Sequence, residues 1–157
     1  MKTLIPARRD VLLGFGAAAA LAACARAEAK PAFTAYKTPT CPCCGAWVER
    51  MVEAGFVLKE LIVLEDLAPI RARYGVPDRY ASCHTGVIGN YALEGHVPPA
   101  DVRRLLAEKP AAAGLSVPGM PMGSPGMEGD GSMKEAFETL LILKDGSARV
   151  FARHAGT

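Results

Sequence analysis

What this sequence lacks narrows its reading before any motif is considered. No apolar run is long enough to cross a bilayer: the Ala-rich stretch Val11 to Ala23 has 13 residues, against the roughly 20 that a spanning helix needs. Net charge is small, with 18 Lys and Arg against 16 Asp and Glu. Setting aside residues 1–23 removes Lys2, Arg8 and Arg9 together with Asp10, which leaves 15 of each sign. A neutral domain has no overall electrostatic footprint for nucleic acid, and that class of partner is excluded. There is no internal repeat. The spaced cysteines of a usual disulfide framework are also missing, because three of the five are crowded into Cys41-Pro42-Cys43-Cys44. Adjacent Cys43 and Cys44 lack the geometry for an ordinary disulfide with each other.

The N-terminal residues read as an export signal over 1–23. Lys2, Arg8 and Arg9 form the positive start, and the run to Ala23 has the length of a signal-peptide core. Arg8-Arg9-Asp10-Val11-Leu12-Leu13 has the form of a twin-arginine signal. Leu21-Ala22-Ala23-Cys24 has the form of a lipobox, with Cys24 as the lipidated residue. The alternative is ordinary signal cleavage after Ala27 or Ala29, where small residues also fit. The expected location is the periplasmic side of a bacterial envelope, with membrane contact only through a lipid on Cys24. Residues 24–31 read as a tether, and residues 32–157 as a single domain large enough to build a core without disulfides. Cysteines in such a domain point to function, and an oxidising compartment preserves free thiols only where a metal or a reductant protects them.

Hydrophobic periodicity and punctuation give the elements. A strand is expected over Ala32 to Tyr36 and a helix over Cys44 to Ala54, with Trp47 and Met51 facing the core and Gly55 as its stop. A second strand, Phe56 to Leu64, leads to a helix over Leu67 to Tyr74 that Gly75 ends. Strands His84 to Ile88 and Tyr91 to Glu94 flank Gly89-Asn90, a two-residue hairpin signal. A third helix starts at Pro98-Pro99 and runs to Lys109. Residues 114–133, rich in Gly, Pro and Met, are expected to be irregular. A closing hairpin joins Thr139 to Leu143 with Ala148 to Ala152 around Asp145-Gly146. The order strand-helix-strand-helix-strand-strand-helix predicts an α/β, thioredoxin-like domain with a mixed central sheet flanked by helices, a Gly/Pro/Met-rich loop and a C-terminal hairpin.

In that fold the cysteine pair stands at the start of the first helix, where free amides and the helix dipole stabilise thiolates. Cys41 and Cys44 have the spacing of a redox dithiol, and Cys43 is a further thiol between them. Cys83 falls where thioredoxins present a cis-proline, and so is expected to face the other three sulfurs. If Gly89-Asn90 is the loop, Ile88 pairs with Tyr91, and the same register carried outward sets Cys83 opposite His96. His84 points to the other face in a regular strand and is a weaker candidate. Thiolates with an imidazole make a soft site suited to Cu(I), and tetrahedral sulfur sites also suit Zn(II). Thioethers of Met120, Met122 and Met127 are further candidates, although methionines also serve as gap-fillers. Two disulfides, such as Cys41–Cys44 with Cys43–Cys83, are the purely structural alternative. His154 is expected to be exposed.

Four blocks carry a resemblance that spans residues 32–153: Lys37 to Cys44, Ser82-Cys83-His84-Thr85, Glu94 to Pro98, and Val117 to Met127 with Glu128. In these the chain resembles the family of predicted metal-binding proteins that includes the copper-resistance protein CopG. The resemblance implies a thioredoxin-like periplasmic domain that binds copper through the Cys-x-Cys-Cys cluster and the later cysteine. It also implies a role in copper tolerance, with interconversion of Cu(I) and Cu(II), beside other periplasmic copper-handling proteins. The residue reading keeps two alternatives open: a thiol–disulfide oxidoreductase using Cys41 as nucleophile and Cys44 as resolving thiol, and a zinc-stabilised interaction module.

Overall fold

The computed structural model describes residues 29–156. The export signal, Cys24 and all but the last residues of the tether lie outside them. Strand β1 (Ala32–Lys37) leads into helix α1 (Cys43–Glu53), which crosses over to β2 (Val57–Val63), parallel to β1. Helix α2 (Ala68–Tyr74) and a single 3-10 turn at Asp78–Tyr80 return the chain to β3 (His84–Ile88), antiparallel to β1. Turn Gly89-Asn90 joins β3 to β4 (Tyr91–Gly95), and α3 (Pro99–Glu108) connects β4 to a parallel neighbour, β5 (Ala112–Val117). The hairpin β6 (Phe137–Leu143) and β7 (Ala148–His154) completes one mixed seven-stranded sheet in the order β2-β1-β3-β4-β5-β6-β7.

The elements have local causes. Pro99 sits at the first position of α3, where its missing N–H costs nothing. Gly75 ends α2 in a left-handed conformation. The β3–β4 ladder pairs Ile88 with Tyr91 and Thr85 with Glu94, the register that the two-residue turn predicts. Trp47 and Met51 are fully buried with Phe33, Leu93, Leu115 and Leu141, so α1 packs on one face of the sheet through its Trp47–Met51 stripe. Val48 is buried beside this stripe, whereas Val52, one turn further on, is exposed. Val76, Ala92, Ala113 and Ile142 form a smaller core on the other face, beneath Tyr74 and Tyr80.

Two expectations about the fold need correction. Residues 114–117 are not irregular: they belong to β5, a strand buried along its whole length. Ala-Ala-Gly-Leu-Ser-Val has weak strand propensity, and burial overrides it. At Gly114 a Cβ would lie 1.9 Å from the carbonyl oxygen of Ala92, so β4 and β5 approach too closely for any side chain there. The irregular stretch therefore begins at Pro118. His154 is not free in solvent. Its Nε2 donates to Asp101 Oδ2 at 2.9 Å, Thr139 Oγ1 donates to the same oxygen at 2.6 Å, and its ring stacks on Phe137. These contacts clip β7 to the start of α3.

The sheet has two chemically different ends. Lys37 to Cys44, Ser82-Cys83, Gly95-His96 and the loop after Val117 gather at one. The Gly89-Asn90 turn, the end of α3 and the Lys144–Ser147 turn gather at the other, where the chain also enters β1.

Candidate metal centre

Three chain segments meet at the thiol end, each held by identifiable bonds. The first is the loop into α1, closed by Cys41 N donating to Thr38 O at 3.3 Å and by Lys37 Nζ donating to Cys41 O at 3.0 Å. α1 begins at Cys43, so its free amides lie against the sulfurs. Cys41 and Cys44 are disulfide-bonded, while Cys43 and Cys83 are free thiols. Cys43 Sγ stands 3.5 Å from Cys41 Sγ, and the Sγ atoms of Cys41, Cys43, Cys44 and Cys83 all lie within 4.8 Å of one another.

The second segment is Ser82-Cys83-His84, fixed by a buried ion pair that sequence reasoning missed. Glu94 Oε1 accepts from Ser82 N at 2.8 Å and from Arg71 Nε at 2.9 Å, and Arg71 Nη2 donates to Ser82 O at 2.7 Å. Thr85 Oγ1 donates to the other carboxylate oxygen at 2.7 Å. Burial pushes the Glu94 carboxyl above its ordinary range, and the donors from Ser82, Thr85 and Arg71 pull it back. The available signal was a lone carboxylate in the apolar strand Tyr91-Ala92-Leu93-Glu94-Gly95.

Cys83 stands just ahead of β3, so strand alternation does not separate it from His84. Contrary to the sequence expectation, His84 Nδ1 comes to 3.2 Å from Cys83 Sγ, and His96 Nε2 comes to 3.3 Å. These three donors lie within 4.8 Å of one another. His96 Nδ1 faces the carbonyl of Pro125 at 2.8 Å. A carbonyl can only accept, so Nδ1 carries the proton and the Nε2 lone pair faces the sulfur. Burial lowers the His96 pKa, and burial together with His96 lowers that of His84 to about 3, so both rings are neutral and ligand-ready at neutral pH. Burial and the nearby Cys43 push the Cys83 thiol up to about 12. His84 Nε2, buried against Trp47 and His96, has no hydrogen-bond partner among the described residues.

The third segment is the loop after Val117. Ser82 Oγ donates to Gly119 O at 2.9 Å, and Arg50 Nε pairs with Glu128 Oε1 at 2.8 Å. At Gly126 a Cβ would fall 2.6 Å from Trp47 N, so the loop backbone rests on α1 where only glycine fits. Met120 Sδ lies 3.9 Å from Cys43 Sγ, and Met120 and Met127 line a groove of about 600 Å³ with Cys43 and Cys83. Met122 does not line this groove; its terminal methyl lies beside Gly129, and its backbone N donates to Glu135 Oε2.

Sulfur and neutral imidazole are soft or borderline donors, so this set fits a soft ion. The disulfide leaves Cys43, Cys83, His84 and His96. Adding two electrons and two protons to it restores four thiols in one cluster. The orphaned His84 nitrogen is the kind of buried polar atom that a further ligand or bridging group would satisfy.

Two solved structures, titled copper resistance protein CopG form 1 and form 2, each match at 37% sequence identity with a TM-score of 0.74. The alignments cover 80% and 81% of this chain and 98% and 100% of theirs. The chain belongs to the family of the copper resistance protein CopG. A family model described as a protein of unknown function, DUF411, matches residues 80–127. That span holds Cys83, His84, His96, Met120 and Met127 and stops short of the earlier cysteines. No curated protein matches the chain.

Proposed function

We propose that this protein binds copper in the bacterial periplasm, holding Cu(I) with Cys41, Cys43, Cys44 and Cys83, and that His96 completes the site. The observation that carries this is the convergence of four sulfurs and two neutral imidazoles within 4.8 Å clusters that share Cys83. Membership of the CopG family supports copper, and the softness of the donors supports Cu(I) over harder ions. Met120 receives or caps the metal in this reading, which the 3.9 Å between its Sδ and Cys43 Sγ supports, and Met127 lies on the same wall. Because the Cys41–Cys44 disulfide removes two thiolates, metal capacity is coupled to redox state. Export by the twin-arginine-like signal and lipid attachment at Cys24 belong to the same reading.

The test is to reduce the chain from residue 25 without oxygen, add Cu(I), and measure bound metal per chain by elemental analysis. Copper retained above one ion per chain, lost in Cys83→Ser and not displaced by Zn(II), is the expected result. Displacement by zinc would move the site to the zinc-binding alternative.

One observation favours a second reading as a thiol–disulfide oxidoreductase: the Cys41–Cys44 pair is already joined, with the free Cys43 thiol beside it. Cys83, in place of a residue that would bind a substrate peptide, weighs against it. Disulfide-exchange activity created or raised by Cys83→Pro would support the metal reading, and unchanged activity would weaken it.

A further inference from the structure

Three shallow hollows adjoin one another at the end of the sheet opposite the thiols. Ala29, Lys30 and Pro31 line the first with Arg103 and Leu106. The second shares Leu106 and adds Asn90, Lys109 and Lys144. The third shares Asn90 and Lys144 and adds Arg73. Their lining thus includes five cations, Lys30, Arg73, Arg103, Lys109 and Lys144, and no carboxylate. All five are exposed, and none makes an ion pair among the described residues. Two neighbouring carboxylates offset only part of this charge: Glu108 is paired with Arg104, and Asp145, next to Lys144, stays ionised as it accepts from the backbone and hydroxyl of Ser147. The thiol groove has the opposite character, since Glu65 and Asp66 line it and its one cation, Arg71, is bound to Glu94. A chain of balanced composition is therefore polarised along the sheet.

We propose that the basic end docks on a membrane surface bearing anionic phospholipid headgroups, with the thiol groove turned away from the lipid. The cations are spread over adjoining hollows instead of converging on one cavity, which suits a flat array of phosphates more than a single small anion. Each Lys or Arg near such a surface strengthens attachment about fivefold, and the attraction fades within a Debye length. The chain also enters the fold here. Cys24 precedes Ala29 by five residues, which is at most about 18 Å of extended backbone, so a lipid on Cys24 would hold this same face to the bilayer. A lipid chain and a basic patch are each weak anchors that act jointly. The docking rests on the cations and stands whether or not Cys24 is lipidated.

The test uses residues 25–157, which hold every strand and helix of the described fold and its whole core. Flotation is measured with vesicles of phosphatidylcholine alone and of phosphatidylcholine mixed with phosphatidylglycerol. Binding is expected only to the mixed vesicles and only at low salt. The double variant Lys30→Glu/Lys144→Glu, both exposed and outside helices and strands, should weaken it about 25-fold or more. Lys134→Glu, beside Gly123 in the loop at the thiol end, should leave it unchanged. In vesicle-bound protein, Cys43 should still react with a thiol reagent that cannot cross the bilayer. Equal binding to neutral vesicles, no binding to mixed ones, an equal loss in Lys134→Glu or shielding of Cys43 would each overturn the proposal. Self-association that the double variant abolishes, without vesicle binding, would assign the face to a second copy and overturn it too. None of these outcomes depends on copper.

Discussion

Cys83 is the residue on which the two donor clusters turn. It belongs both to the group of four sulfurs and to the group with His84 and His96. It is held through its neighbours, since the Glu94–Arg71 pair grips both the N–H and the C=O of Ser82. Glu94→Gln would leave the Arg71 charge without its partner, and a loss of about 3 kcal/mol in unfolding free energy is expected. Replacing both, as Arg71→Met/Glu94→Leu, should recover part of that stability in denaturant unfolding, since Ser82 N and Thr85 Oγ1 still lose their acceptor, while copper affinity stays weakened. Recovery of both together would show the pair to be merely structural.

His84 yields a prediction with a definite sign. Its folded-state pKa is depressed to about 3 from the ordinary 6.5. Between those values the unfolded chain binds more protons than the folded one, so stability rises with pH through this window and falls on acidification below about 6.5. The slope is at most about 1.4 kcal/mol per pH unit for one group. Denaturant unfolding of the metal-free protein should show that loss, and His84→Asn should flatten it. An identical pH profile in the variant would remove His84 as the cause.

At the scale of elements, the parts that patterning reveals are those with strong local signals. The Gly89-Asn90 turn fixed the β3–β4 register, and from it the approach of His96 to Cys83 was legible. Strand β5 was not legible, because Ala and Gly there are selected by the close approach of β4, a tertiary cause that leaves no periodic trace. The His84 orientation failed for a related reason: alternation applies within a strand, and Cys83 lies one residue outside it. The buried Glu94–Arg71 pair depends on two residues 23 positions apart, which no local pattern connects. The loop after Val117 is tied to α1 through Gly126. Gly126→Ala should lift that loop from Trp47, lowering the melting temperature and exposing the site, with faster alkylation of Cys83 as the readout. Unchanged alkylation would show that the loop does not cover the sulfur.

Across the whole molecule, the sheet separates two chemically different regions to opposite ends. Buried donors and a groove with two carboxylates occupy one end, and exposed cations with the incoming chain occupy the other. The core between them is hydrophobic: Trp47, Phe33, Met51, Leu93, Leu115 and Leu141 are fully buried and pack on one another. Removing copper should therefore leave far-ultraviolet circular dichroism and cooperative unfolding in place, whereas global unfolding on demetallation would point to a zinc-type structural site.

The most direct measurement compares bound Cu(I) per chain, under exclusion of oxygen, in fully reduced protein and in protein whose Cys41–Cys44 disulfide is intact. Tight copper in the reduced form that falls sharply in the disulfide form is the predicted result, because two of the four sulfurs are then withdrawn. Equal copper in both forms would contradict a site built on all four cysteines.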